Sequence, residues 1–120
     1  METPLDYSLC CQVVTCYRKT GDLVTRQVLD GVFYSYRDRV TGQMPGTCFQ
    51  RLFTLIIPGD RTVQPGDRIY DGVGPEVTAA GWADFIPACV PGLSQVQYVM
   101  PCFWEGVRCH TEAGRKAGTV

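Results

Sequence analysis

Seven cysteines, one histidine and a scatter of aspartates are the residues of this chain best suited to chemistry. The cysteines are Cys10, Cys11, Cys16, Cys48, Cys89, Cys102 and Cys109. Their number is odd and no export signal precedes them, which argues against a disulfide framework. Zinc-binding modules pair their thiols at spacings such as C-x2-C. No such pair occurs here: Cys10 and Cys16 are separated by five residues, Cys102 and Cys109 by six. The expected state is therefore seven reduced thiols acting as small apolar core residues. A structural metal gathered from distant segments is the alternative, and elemental analysis would reveal it.

A Cys–His nucleophilic pair needs an imidazole or other cationic surroundings that lower the thiol pKa. Cys109 and His110 are adjacent, and in an extended chain adjacent side chains point to opposite faces. Asp67 and Asp71 bracket a short β-rich stretch and could in principle form an acid pair. Aspartates beside glycine are more simply turn formers, bonding neighbouring amides. Gly72-Val73-Gly74 has no helix behind it and reads as a turn, not a phosphate cradle. The chain contains no G-x-S-x-G elbow, no H-E-x-x-H and no Walker loop. The expectation is a non-enzymatic protein with no catalytic, cofactor-binding or metal-ligating residues and no cofactor.

The elements that would position any site follow from composition and patterning. With 120 residues, 45% hydrophobic and 19% charged, the chain has the size and make-up of one globular domain. Val, Thr, Tyr, Phe, Gly and Pro are plentiful, which favours short strands and punctuated turns. Net charge is −1 and both signs are mixed along the sequence. Phosphate-neutralising proteins usually carry a basic excess or stripe, so direct nucleic-acid binding is not expected. No apolar run approaches the ~20 residues of a membrane span, and no signal peptide is visible, so synthesis in the cytosol is expected.

Leu9 to Tyr17 reads as a strand covered on both faces, since both alternating sets are apolar or β-branched. Lys19-Thr20-Gly21-Asp22 is a turn that joins it to Leu23–Leu29 in a hairpin. Gly31 suits either a bulge or a tight turn before Val32–Tyr36. Arg37 to Thr47 is polar and glycine-rich and reads as a protruding loop. Cys48 to Ile57 is the strongest strand, with Phe49, Arg51, Phe53, Leu55 and Ile57 on one alternating set, and Pro58-Gly59-Asp60 ends it. Pro65-Gly66 fits a type II turn, and the short Arg68–Tyr70 strand is closed by a hairpin-type Asp71-Gly72.

Thr78 to Phe85 allows a helical turn, and Trp82, Phe85 and Trp104 are candidates for core aromatics or for a binding groove. A last hairpin is expected from Ser94–Val99 to Phe103-Trp104, with Pro101 near its corner. Residues 112–120 read as a mobile tail behind a single domain of residues 1–111. The fold class is all-β: a small barrel or sandwich of six or seven short antiparallel strands with one long loop.

Four stations, in this order, carry a resemblance: Val14-Thr15-Cys16-Tyr17, Val28-Leu29-Asp30-Gly31-Val32-Phe33, Thr54-Leu55-Ile56-Ile57-Pro58 and Gly66-Asp67-Arg68-Ile69-Tyr70-Asp71-Gly72. The order resembles the small minor capsid proteins encoded beside head genes in tailed phages and prophages of Gram-positive bacteria. It covers roughly Val13 to Gly72, and Pro101 to Arg115 looks similar to the end of related phage proteins. Cys16 and Cys48 depart from the pattern, where less reactive residues are expected.

The resemblance implies a neck component: a head-completion or stopper-like subunit, forming a homo-oligomeric ring between portal or adaptor and tail, and located in the virion. Packaged DNA would pass nearby without sequence-specific binding. The loop reaching toward the channel would contain Arg37, Asp38, Arg39, Gln43 and Met44. A monomeric binding module or small hydrolase-like domain with an aromatic groove is the alternative.

Overall fold

A computed structural model describes residues 7–41, 48–87 and 89–116, and the side chains of all these except 38–41 and 48–50. Seven strands among them form one sheet: β1 (Gln12–Thr20), β2 (Leu23–Thr41), β3 (Cys48–Pro58), β4 (Arg68–Asp71), β5 (Leu93–Gln95), β6 (Tyr98–Trp104) and β7 (Val107–Arg115). Every pairing is antiparallel, in the order β5-β4-β1-β2-β3-β7-β6. The two outermost strands, β5 and β6, are separated in the chain only by Val96 and Gln97. So short a link spans on the order of 10 Å, so the sheet must curl until its edges approach at that corner. Val96 N donates to Asp67 O and Gln97 N to Gly114 O, each at 2.8 Å, tying the corner to both halves. The result is a curled half-barrel, in line with the all-β expectation.

β2 is the strand that both halves share. Leu23 to Val32 pairs with β1, and Phe33 to Thr41 pairs with β3. The exchange falls at Gly31, which has φ +62° and lies where the β1–β2 register shifts between Gln12 and Val14. Glycine reaches that left-handed conformation without a Cβ penalty, so the bulge bends the strand there. Of the two options open in the sequence, the bulge is the one observed.

Side-chain alternation then sets the core. Val14 and Cys16 from β1, Leu29 and Val32 from β2, Phe53, Leu55 and Ile57 from β3, and Ala113 from β7 are buried together. Each large side chain of this kind contributes about 1.5–3 kcal/mol when fully removed from water. β1 is buried on both faces, as its two apolar sets predict. Tyr17 faces a second cluster with Phe85 and Leu93, built by the 72–92 connection. There Thr15 Oγ1 donates to Gly72 O and accepts from Gly74 N, and Arg26 donates to Gly74 O. A Cβ on Gly74 would meet the Tyr17 hydroxyl and sit 3.0 Å from the Tyr70 ring, so the G-x-G is a packed turn.

Several boundaries differ from expectation. Arg37 to Thr41 is not loop but the end of β2, paired with Cys48 to Leu52; residues 42–47 lie outside the described residues. Backbone pairing prevailed over polar composition, because a projecting two-stranded ribbon needs no apolar face. Asp71-Gly72 does not make a local hairpin: β4 pairs with β1 and, across the 72–92 connection, with β5. Thr78 to Phe85 supplies only a 3-10 turn at Trp82–Asp84.

Pro101 is inside β6 and not at a corner. It is tolerated because β6 lies at the end of the sheet order, where a missing N–H costs no ladder bond. The corner is Glu105-Gly106, with φ +49° and +80°, the positive pair of a type I′ hairpin. Finally, Glu112 to Arg115 is not a tail: Glu112 to Gly114 pair with both β3 and β6, Arg115 pairs with β3, and Ala113 and Gly114 are buried. Residues 117–120 lie outside the described residues.

Candidate interaction surfaces

The residues singled out for chemistry do not converge. Cys109 is buried and its Sγ donates to Val107 O, while His110 Nδ1 lies 2.7 Å from the Tyr7 hydroxyl. Their neighbouring places on β7 put them on opposite faces. Among the described residues, no three His, Cys, Asp or Glu side chains gather as a metal site would require. The cysteines are not uniformly core residues: Cys16 and Cys109 are buried, but Cys11 and Cys89 are exposed. Cys11 precedes β1, and Cys89 lies in the irregular connection.

Asp67 is buried and structural. Arg18 grips it with both nitrogens, Nε at 2.9 Å and Nη2 at 2.8 Å. It also accepts from Gln64 N at 2.9 Å, beside the Pro65-Gly66 turn, and from Cys16 Sγ at 3.5 Å. Burial, then the Asp67 carboxylate, pushes the Cys16 thiol up to about 12, so this thiol stays protonated and unreactive. Asp71 is exposed on β4, and no acid pair forms with Asp67.

The aromatic groove does not form either. Trp82 and Phe85 are together, ring centres 6.4 Å apart, and Phe85 packs edge-on against Tyr17 at 4.7 Å. Arg68 covers the Trp82 ring at 3.8 Å and donates to the carbonyls of Trp82 and Phe85. Trp104 stands elsewhere, at the tip of the β6–β7 hairpin.

That tip is the feature that the sequence did not single out as a unit. Phe103 is 59% exposed, Trp104 42% and Val107 60%, and Met100 at 48% stands further along the same strand. Trp104 pairs directly with Val107 across the two-residue turn. Large apolar side chains exposed singly are ordinary, but several around one hairpin turn, with Trp104 and Val107 as cross-strand partners, mark a contact surface. The signal was present as F-W-E-G-V, with a turn between two apolar ends. A corner expected at Pro101 hides it, since that places Phe103-Trp104 in the return strand.

A second feature is the projecting arm. β7 accompanies β3 only as far as the Phe53–Arg115 pair, and β1 leaves β2 at Val32. Arg37–Thr41 and Cys48–Leu52 therefore continue as a two-stranded ribbon of about 17 Å at the usual strand rise. At its base the Arg51 guanidinium lies 3.9 Å from the centre of the Tyr36 ring. Of the residues expected on an interaction loop, Arg37, Asp38 and Arg39 stand on this ribbon, whereas Gln43 and Met44 lie outside the described residues.

Beside the base of the arm, Tyr98 crosses Gly114 and donates to Glu112 Oε2 at 2.9 Å. Burial, together with that acceptor, pushes the Tyr98 hydroxyl up to about 12.

Comparison with known proteins gives no counterpart: no family model, no curated protein and no solved structure matches the chain. What fold and surface define is a class, a small curled β-sheet domain with an apolar hairpin tip and a projecting ribbon. No helix among the described residues is long and apolar enough to cross a membrane.

Proposed function

We propose that this chain is a non-enzymatic structural subunit that docks to other proteins through its β6–β7 hairpin tip. The observation that carries the reading is the exposure of Phe103, Trp104 and Val107 around one tight turn. Docking through side chains also suits the edges of the sheet. Pro101 removes a donor from the middle of β6, and β5 has only three residues, so neither edge is a good template for a new strand. Aromatic anchors presented on a rigid element are typical hot spots of protein interfaces.

The resemblance in the sequence supports a finer reading of the same protein as a head-completion or stopper-like subunit of a tailed-phage neck. In that role it joins portal or adaptor proteins to tail components as a homo-oligomeric ring, with packaged DNA passing inside. It is then made in the host cytoplasm and ends in the virion. Heterologous tip-to-body contacts that close by rotation generate such a ring.

The test is a Phe103→Ser/Trp104→Ser variant, which removes exposed groups and leaves the fold intact by circular dichroism. Co-expression with the neighbouring head and tail gene products should give wild-type chain in neck assemblies and variant chain free in solution. Equal incorporation of both would sink the docking surface. Particles that lack the chain yet retain DNA and tails would sink the neck assignment.

A further inference from the structure

Three cationic residues border the base of the arm, a concentration hidden by the near-zero charge of the whole chain. Arg37 on β2, Arg115 at the end of β7 and Lys116 immediately after it line one open cleft of about 270 Å³. Ser35 and Thr54 border the same cleft, as does half-exposed Tyr36, and no carboxylate lines it among the described side chains. The register explains which groups share a face. Ser35 pairs with Thr54 and Thr54 with Gly114, and Arg37 pairs with Leu52, so Ser35, Arg37 and Thr54 stand on one face, while Arg115, paired with Phe53, alternates to the other and borders the cleft at the strand end. Lys116 is held at the rim by its backbone N–H, which donates to Gln97 Oε1 at 3.1 Å, and its Nζ lies 4.9 Å from the Tyr98 ring centre.

We propose that this cleft binds the phosphate groups of a nucleic-acid backbone. Guanidinium forks, an ammonium and hydroxyls are the groups that proteins set against phosphate oxygens. Its open shape suits a passing chain. Local field and geometry, not net charge, govern such contacts. Binding is sequence-independent and weak, with dissociation constants on the order of 10⁻⁴ to 10⁻⁶ M at physiological salt. It does not rest on the docking assignment, because it is read on the isolated chain.

The experiment is fluorescence anisotropy of a labelled 20-base-pair duplex of arbitrary sequence, titrated with wild-type chain and with Arg37→Glu/Lys116→Glu across a salt series. Both substituted positions are exposed. A Lys19→Glu/Arg61→Glu variant makes the same charge change outside the cleft. The expected result is at least tenfold weaker binding for the cleft variant alone. Its slope of log K against log salt should be shallower by about 2, given about 0.9 for each phosphate contact. No binding by the wild-type chain, or an equal loss in both variants, overturns the proposal. Displacement of the duplex by micromolar inorganic phosphate also overturns it, by assigning the cleft to the free anion.

Discussion

Gly114→Ala should strip more stability from this fold than its size suggests, because the position is pinned between two strands. Gly114 pairs with Thr54 of β3 on one side and Tyr98 of β6 on the other. A Cβ there would collide with Phe53 O and fall 3.1 Å from Phe53 C and 3.1 Å from the Tyr98 hydroxyl oxygen. Carbon and carbonyl oxygen approach to about 3.3 Å even in favourable contacts, so β7 must move from β3 by roughly 1 Å. Ladder bonds of about 2.9 Å would then stretch past any useful geometry.

Losing two such bonds at about 1 kcal/mol each, with 1–2 kcal/mol of overpacking strain, gives a cost of about 3–4 kcal/mol. That is a large part of the 5–15 kcal/mol typical of a domain. At roughly 4 °C per kcal/mol, the melting temperature should fall by about 12–16 °C. Thermal melts followed by circular dichroism would measure it. Gly21→Ala is the control: its φ is +60°, but nothing lies within 4 Å of the added methyl, so only the left-handed backbone cost of about 1–2 kcal/mol applies. A Gly114→Ala melt within 1 °C of wild type would refute the reasoning, and with it the placement of residues 112–115 inside the sheet.

Alkaline pH should destabilise the fold progressively. Cys16 and Tyr98 are both neutral when protonated, and the folded state raises them from 9.0 and 10.0 to about 12. The folded chain therefore holds protons that the unfolded chain releases, and the stabilisation is complete below about pH 9 and lost as pH rises toward 12. Urea midpoints measured from pH 8 to 11 should fall for wild type, and fall less for Tyr98→Phe; parallel curves would contradict this. The Arg18–Asp67 pair should be asymmetric. Arg18→Met leaves a buried carboxylate with only Gln64 N and Cys16 Sγ, and should cost about 2–4 kcal/mol. Asp67→Ala leaves a partly exposed guanidinium that can turn to water, so urea unfolding should show the smaller loss for that variant.

What the sequence made legible was local. Alternation in Cys48–Ile57 identified the main core strand, and Lys19–Asp22 and Pro65-Gly66 identified their turns, because each depends on residues adjacent in the chain. Double-sided burial of β1 was readable for the same reason. What failed was long-range. Glu112 to Arg115 is short of large apolar residues, and its burial comes from partners far away: Phe53 to Ile56 on one side and Tyr98 to Met100 on the other. Gly114 looks like a tail residue until Tyr98 lies across it.

The apolar tip is legible only once Glu105-Gly106, and not Pro101, is known to be the corner. A proline in the middle of a strand calls for an edge or a bulge, and which strand is the edge is a property of the whole sheet. The same holds for the basic cleft: Arg37 and Arg115 are 78 residues apart in number, and only the β2–β3–β7 register brings both to its border. The features with most bearing on partners were thus set by strand order, which composition and periodicity do not encode.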